Sequence, residues 1–108
     1  MLALTNNKRI YLANDAIDFR YQINALTNVV LDSIESNPYD PDVIYVFYNK
    51  QMDKIKCLFW DTNGFVLYYK KMESLKFKIK QFKKNKDIST TDLHLLLQGM
   101  SPEIKGVE

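Results

Sequence analysis

Three runs of β-branched and aromatic residues, Val43–Tyr48, Lys54–Trp60 and Gly64–Lys70, follow one another so closely that only turns can join them. Parallel neighbours need a crossover of a dozen or more residues, so these runs predict three antiparallel strands. The links carry turn chemistry: Asn49-Lys-Gln-Met-Asp53, then Asp61-Thr-Asn-Gly64, where Asn63-Gly64 is a local signal for a tight turn with positive φ. Arg9–Ala13 alternates well enough for a first strand. Lys76–Phe82 reads as another, with Phe77 and Ile79 on one side and Lys76, Lys78 and Lys80 on the other.

Helical signals flank the strands. Asn14 and Asp15 offer a turn and an N-cap, and Phe19, Ile23, Leu26, Val30 and Ile34 share one face of a helix. Pro38 cannot continue it. A helix over 18–35 would be about 27 Å long, enough to cover a small sheet. Ser89-Thr-Thr-Asp92 then caps a short terminal helix with Leu93, Leu96 and Leu97 inward and Gly99 as its stop. The expected fold is α+β: a mainly antiparallel sheet of four to five strands, one long helix packed on a face, and a short C-terminal helix. Residues 1–100 form a single domain in this reading, and 101–108 a polar, frayed tail.

With 108 residues, 46% of them hydrophobic and 26% charged, the chain has the make-up of one small folded domain. The lone Cys57 has no partner for an internal disulfide, which fits a reducing compartment. Met1–Asp15 lacks the apolar stretch of a signal peptide, and no run approaches the roughly 20 apolar residues of a membrane helix. The expectation is a cytoplasmic protein with no membrane association.

The net charge of +2 conceals a strong asymmetry. Through Asn49 there are three basic and six acidic residues (−3), from Lys50 to Lys86 eleven and three (+8), and after that one and four (−3). A basic centre between acidic flanks points to an anionic partner, against the plainer alternative of a solvated lysine surface.

The residues resemble a known family at this point. Arg9-Ile-Tyr-Leu-Ala13 with Asp18-Phe-Arg20 and Leu26 is similar to the opening strand and helix start of TnpB-type accessory proteins of insertion-sequence-sixty-six elements, which are unrelated to the RNA-guided nucleases of the same label. Val46-Phe47 with Asn49, Asp53-Lys-Ile-Lys56, Leu58-Phe-Trp60-Asp61 and Asn63-Gly64-Phe65 resembles that family's basic hairpin and its turn. Lys70-Lys-Met-Glu73 with Phe77, and Leu96-Leu97 with Gly99-Met100, complete the likeness, which spans Arg9 to Met100. The chain departs from the family at Asp15, Tyr21, Gln22, Ala25 and Leu75, and is poorer in arginine after Asn49. The resemblance implies a role in transposition beside the transposase and a second accessory protein.

The candidate nucleic-acid-binding residues are Lys50, Lys54, Lys56, Lys70, Lys71, Lys76, Lys78, Lys80 and Arg20. On neighbouring strands the lysines would form one cationic sheet face for backbone phosphates, with Tyr68, Tyr69 and Phe82 interleaved to stack on unpaired bases. Arg20 has a structural alternative, bridging to a carboxylate such as Asp61, and Asp18 one near a helix N-terminus. An enzyme is not expected: the carboxylates fall in turns and near helix ends, and no nucleophile motif or phosphate loop is present. Cys57 and His94, each alone of its kind, exclude a Cys/His zinc site within one chain, so no cofactor is expected. Cys57 reads as a buried strand residue and His94 as exposed. Besides DNA, the other reading is a protein–protein assembly module anchored by Tyr21, Tyr39 or Tyr48 where exposed, with a degenerate, inactive copy as a third.

Overall fold

The computed structural model describes residues 8–84 and 88–103. The end of the expected tail, 104–108, lies outside them. Four strands, β1 (Arg9–Leu12), β2 (Val43–Tyr48), β3 (Lys54–Asp61) and β4 (Gly64–Lys71), form one sheet in the order β1-β2-β3-β4. The last three make the expected antiparallel meander, while β1 joins β2 in parallel through the crossover that carries the first helix. Every residue of β2 is buried, as befits an apolar run covered on both faces.

Register and alternation assign the faces. Tyr45, Phe47, Lys54, Lys56, Leu58, Tyr69 and Lys71 share one side; Ile44, Val46, Tyr48, Ile55, Cys57, Tyr68 and Lys70 share the other. The first side lies under the chain before β2, where the Tyr45 hydroxyl donates to the Asn37 carbonyl at 3.1 Å. The second lies under α2 (Ile79–Lys83) and α3 (Thr90–Leu97), whose Ile79, Phe82, Leu93 and Leu96 are buried in the common core.

The helix of the first layer is shorter than its apolar spacing predicts. It runs as α1 (Ile23–Asn28), continues as a π-helix over Val29–Ile34, and stops at Glu35 in the left-handed region (φ 58°). Leu26 and Val30 are its buried positions. Its N-cap is Gln22, not Asn14 or Asp15, and no side chain caps it. The reason lies in hydrogen bonds made elsewhere. The Ile17 amide donates to the Tyr48 carbonyl at 2.9 Å, and the carbonyls of Phe19 and Tyr21 accept from Lys56, so this stretch is tied to the sheet before a helix can begin.

The strand expected over Lys76–Phe82 does not form. The Phe77 amide donates to the Met52 carbonyl at 2.7 Å, and the chain then turns into α2. Phe77, Ile79 and Phe82 are all buried. Strand alternation would have put Phe82 among the lysines; a helical step of three from Ile79 puts it in the core. The second hairpin also differs. Its central residues are Thr62 and Asn63, with Thr62 at φ 50°, and Gly64 opens β4 without positive φ.

The C-terminal helix matches its reading. The Ser89 hydroxyl accepts from the Asp92 amide and the Asp92 carboxylate from the Ser89 amide, both at 3.0 Å, a reciprocal cap. Leu93, Leu96 and Leu97 face inward, and Gly99 (φ 77°) ends the element. Among the described residues no helix is long and apolar enough to cross a membrane.

Candidate nucleic-acid interface

The lysines of the central strands divide between two faces and several roles. Lys56 is only 2% exposed. Its ammonium donates to the carbonyls of Phe19 (2.9 Å) and Tyr21 (2.7 Å) and lies 4.7 Å from the Phe19 ring centroid and 5.6 Å from that of Tyr69. Burial pushes its pKa below the ordinary lysine value. Lys70, on the opposite face, donates to the Leu97 carbonyl at 2.7 Å and so closes the end of α3. Both act inside the fold rather than on its surface.

The other lysines surround one end of the sheet. Lys50 is exposed in the β2–β3 turn; Lys54 opens β3 directly opposite Lys71, which closes β4. Lys76 donates to the Gln51 carbonyl of the same turn at 2.7 Å, and Lys78 follows, exposed, at the start of α2. Lys80 and Lys84 are exposed four residues apart, hence on one side of α2. Lys83 reaches the Asn14 carbonyl just past β1 and sits 5.0 Å from the Tyr48 ring centroid. The sheet face foreseen from alternation is therefore absent, and a cationic end takes its place. Lys83 and Lys84 were missed because they fall beyond the run read as a strand; the helical step from Ile79 to Phe82 was the available signal.

Asn49 organises this end. Its side-chain oxygen accepts from the amides of Asp53 (3.1 Å) and Lys54 (3.0 Å), while its amide nitrogen donates to the Asp53 carboxylate at 2.6 Å. That last bond, more than any other cause, holds the Asp53 carboxyl below its ordinary value. Met52, at φ 59°, completes the turn. Asp40, Asp42 and Asp61 lie at the other end of the strands, together with Lys8 and Arg9, which offset part of their charge.

Charge compensation follows the same division. Among the described residues the ion pairs are Arg9–Asp40 (2.7 Å) and Arg20–Asp18 (2.6 Å), and no lysine between Lys50 and Lys84 takes part in one. Lys54 and Lys71, facing each other across two strands, are a like-charge pair without a carboxylate bridge. Arg20 is held by its near neighbour Asp18 and not by Asp61; its hydrogen bonds bring that carboxyl down to about 2.

Of the aromatic candidates, Tyr69 is exposed, Tyr68 half-buried and Phe82 buried. Tyr48, offered as a docking anchor, is buried, whereas Tyr21 and Tyr39 are exposed. Cys57 is buried, its thiol pushed up to about 12 by desolvation, and His94 is exposed. Among the described residues no three His, Cys, Asp or Glu side chains gather as a metal site would require.

A family model described as "IS66 Orf2 like protein" matches residues 8–106. The chain belongs to that family. The match takes in all four strands, the helices and every lysine named above, so the IS66 Orf2-like chain owes its cationic end to the matched region. Its family marks it as an accessory protein of an insertion sequence. It is also 36% identical over 77 residues to a Sinorhizobium fredii protein named "Uncharacterized protein y4jC", a match covering 71% of this chain and 65% of that one. The match thus spans a little under two thirds of the relative's length. No solved structure matches the chain.

Proposed function

We propose that this protein serves transposition of its element in the cytoplasm as a non-catalytic factor. In this reading it holds DNA, or the transposase–DNA complex, through the lysines at the Tyr48 end of the sheet. The observation that carries the reading is the cluster of lysines without carboxylate bridges around the Asn49–Asp53 turn. Phosphates would relieve the Lys54–Lys71 repulsion and fix position without reading sequence. The contact set is Lys50, Lys54, Lys71, Lys78, Lys80 and Lys84, with Lys76 at its margin. Lys56 and Lys70 are left out because their ammonium groups are committed to backbone carbonyls.

The test is a salt series of binding to duplex and single-stranded DNA. About six phosphate contacts give a slope of log K against log salt near −5, losing about 0.9 for each of Lys71, Lys78 and Lys80 changed to Gln. Lys56→Met leaves the slope unchanged. A chain that binds neither DNA at low salt yet still captures the transposase would instead be a protein–protein assembly module. One observation favours that second reading: Tyr39, 56% exposed, lies with its ring centroid 5.2 Å from those of both Trp60 and Phe65. This is an aromatic surface at the end of the sheet away from the lysine cluster, of the kind protein partners use as anchors.

A further inference from the structure

The two edges of the sheet are finished differently. On β1 the amides of Arg9 and Ala13 donate inward, to Asp42 (2.7 Å) and Val46 (3.0 Å), so alternation turns the peptide groups of Ile10 and Leu12 outward. There Ile10 is met by Ile88 in an antiparallel bridge. On β4 the Met72 amide donates to the Asp53 carbonyl at 2.7 Å, which sets the phase of the ladder. Even-numbered residues of β4 face β3, and the peptide groups of Phe65, Leu67, Tyr69 and Lys71 face away from it. Among the described residues nothing hydrogen-bonds to that outer row.

An exposed edge of this length is usually blunted by charge, proline or a bulge. The eight-residue β4 has no charge from Gly64 to Tyr69; Val66 is 37% exposed and Tyr69 52%. Its lysines stand only at one end. The hairpin turn at the other end carries Asp61.

We propose that β4 pairs antiparallel with β4 of a second copy of this chain, about a two-fold axis near Leu67. The outward phase suits that centre: Leu67 would meet the partner's Leu67, and Phe65 the partner's Tyr69, all from the row with free peptide groups. Charge selects the direction. Antiparallel pairing brings Lys70 and Lys71 of each copy to the Asp61–Asn63 turn of the other, whereas parallel pairing stacks lysine on lysine. Resting on the reading above, such a dimer carries its two lysine-rich ends at opposite ends of one eight-stranded sheet, leaving Lys50, Lys54, Lys78, Lys80 and Lys84 of each copy for a separate DNA segment.

The experiment is sedimentation equilibrium of the full chain without DNA, with amide hydrogen exchange across the same concentration range. DNA binding does not enter the readout, so the two proposals fail separately. The expected result is a dimer in which the amides of Phe65, Leu67 and Tyr69 gain protection as concentration rises. Val66→Lys, at an exposed position, weakens association about tenfold or more while its thermal unfolding shows an intact fold. A chain monomeric up to submillimolar concentration would overturn the proposal, as would a dimer indifferent to Val66→Lys. Protection of those amides that does not depend on concentration would overturn it too, since the edge would then be covered within one chain.

Discussion

The ammonium of Lys56 stands 2.7 Å from the carbonyl oxygen of Tyr21, joining the middle of β3 to the segment that leads into α1. This bond and its companion to Phe19 turn what the charge pattern marks as a surface cation into an internal strut. The rings of Phe19 and Tyr69, 5.5 Å apart edge to face, flank it.

Lys56→Ala is expected to cost about 2–4 kcal/mol, from lost packing and two carbonyls left without a donor. Lys56→Met keeps most of the packing and costs about 1 kcal/mol. Thermal unfolding checks both, at roughly 4–8 °C per kcal/mol for a domain of this size. Equal losses for the two variants would mean the hydrogen bonds, not the stem, carry the effect.

The Asp18–Arg20 pair gives a pH signature. Asp18 titrates at about 2 in the folded chain against an ordinary 3.8. Because the folded value is depressed, whatever the pair adds to stability is present above 3.8 and is lost as pH falls through about 2. The Arg20 side-chain hydrogen bond is the largest cause, so Arg20→Gln returns the carboxyl toward 3.8 in a carbon-detected NMR titration. An unmoved titration would assign the shift to the backbone.

Asn49 is 5% exposed and ties together the turn at the cationic end. Asn49→Ala strips the amides of Asp53 and Lys54 of their acceptor and is expected to cost about 2–3 kcal/mol. It also raises the Asp53 carboxyl toward 3.8, since the Asn49 bond is the main cause of its depression. NMR titration of Asp53 in the variant reads this directly.

Gly99 ends α3 at φ 77°, and a Cβ there would meet the Met72 Cε at 2.5 Å. Gly99→Ala is expected to destabilise by about 1–2 kcal/mol, because L side chains resist that backbone region and the Met72 tip must shift. A denaturant melt that gives no change would show that the terminus of α3 frays without consequence for the core.

Where the sequence carried a local rule it was sufficient. The β2–β3–β4 meander follows from three apolar runs with links too short for anything but hairpins. The Ser89 cap, the inward leucines and the Gly99 stop are each set by neighbours a few residues away. The buried Cys57 follows from its place between Ile55 and Phe59 in one strand. The surplus of lysine over carboxylate between Lys50 and Lys86 is likewise composition alone.

Tertiary structure decided what depends on distant partners. The first helix begins at Ile23 and not earlier because Tyr48 and Lys56, far along the chain, claim backbone groups of the stretch before it. Lys76–Phe82 abandons alternation because the Met52 carbonyl takes the Phe77 amide and the core accepts Ile79 and Phe82 at helical spacing. Lysines identical in sequence became a strut, a helix cap or a surface charge according to the carbonyl within reach. An ammonium is a donor without a preferred partner, and only packing determines whether it meets a buried oxygen or water.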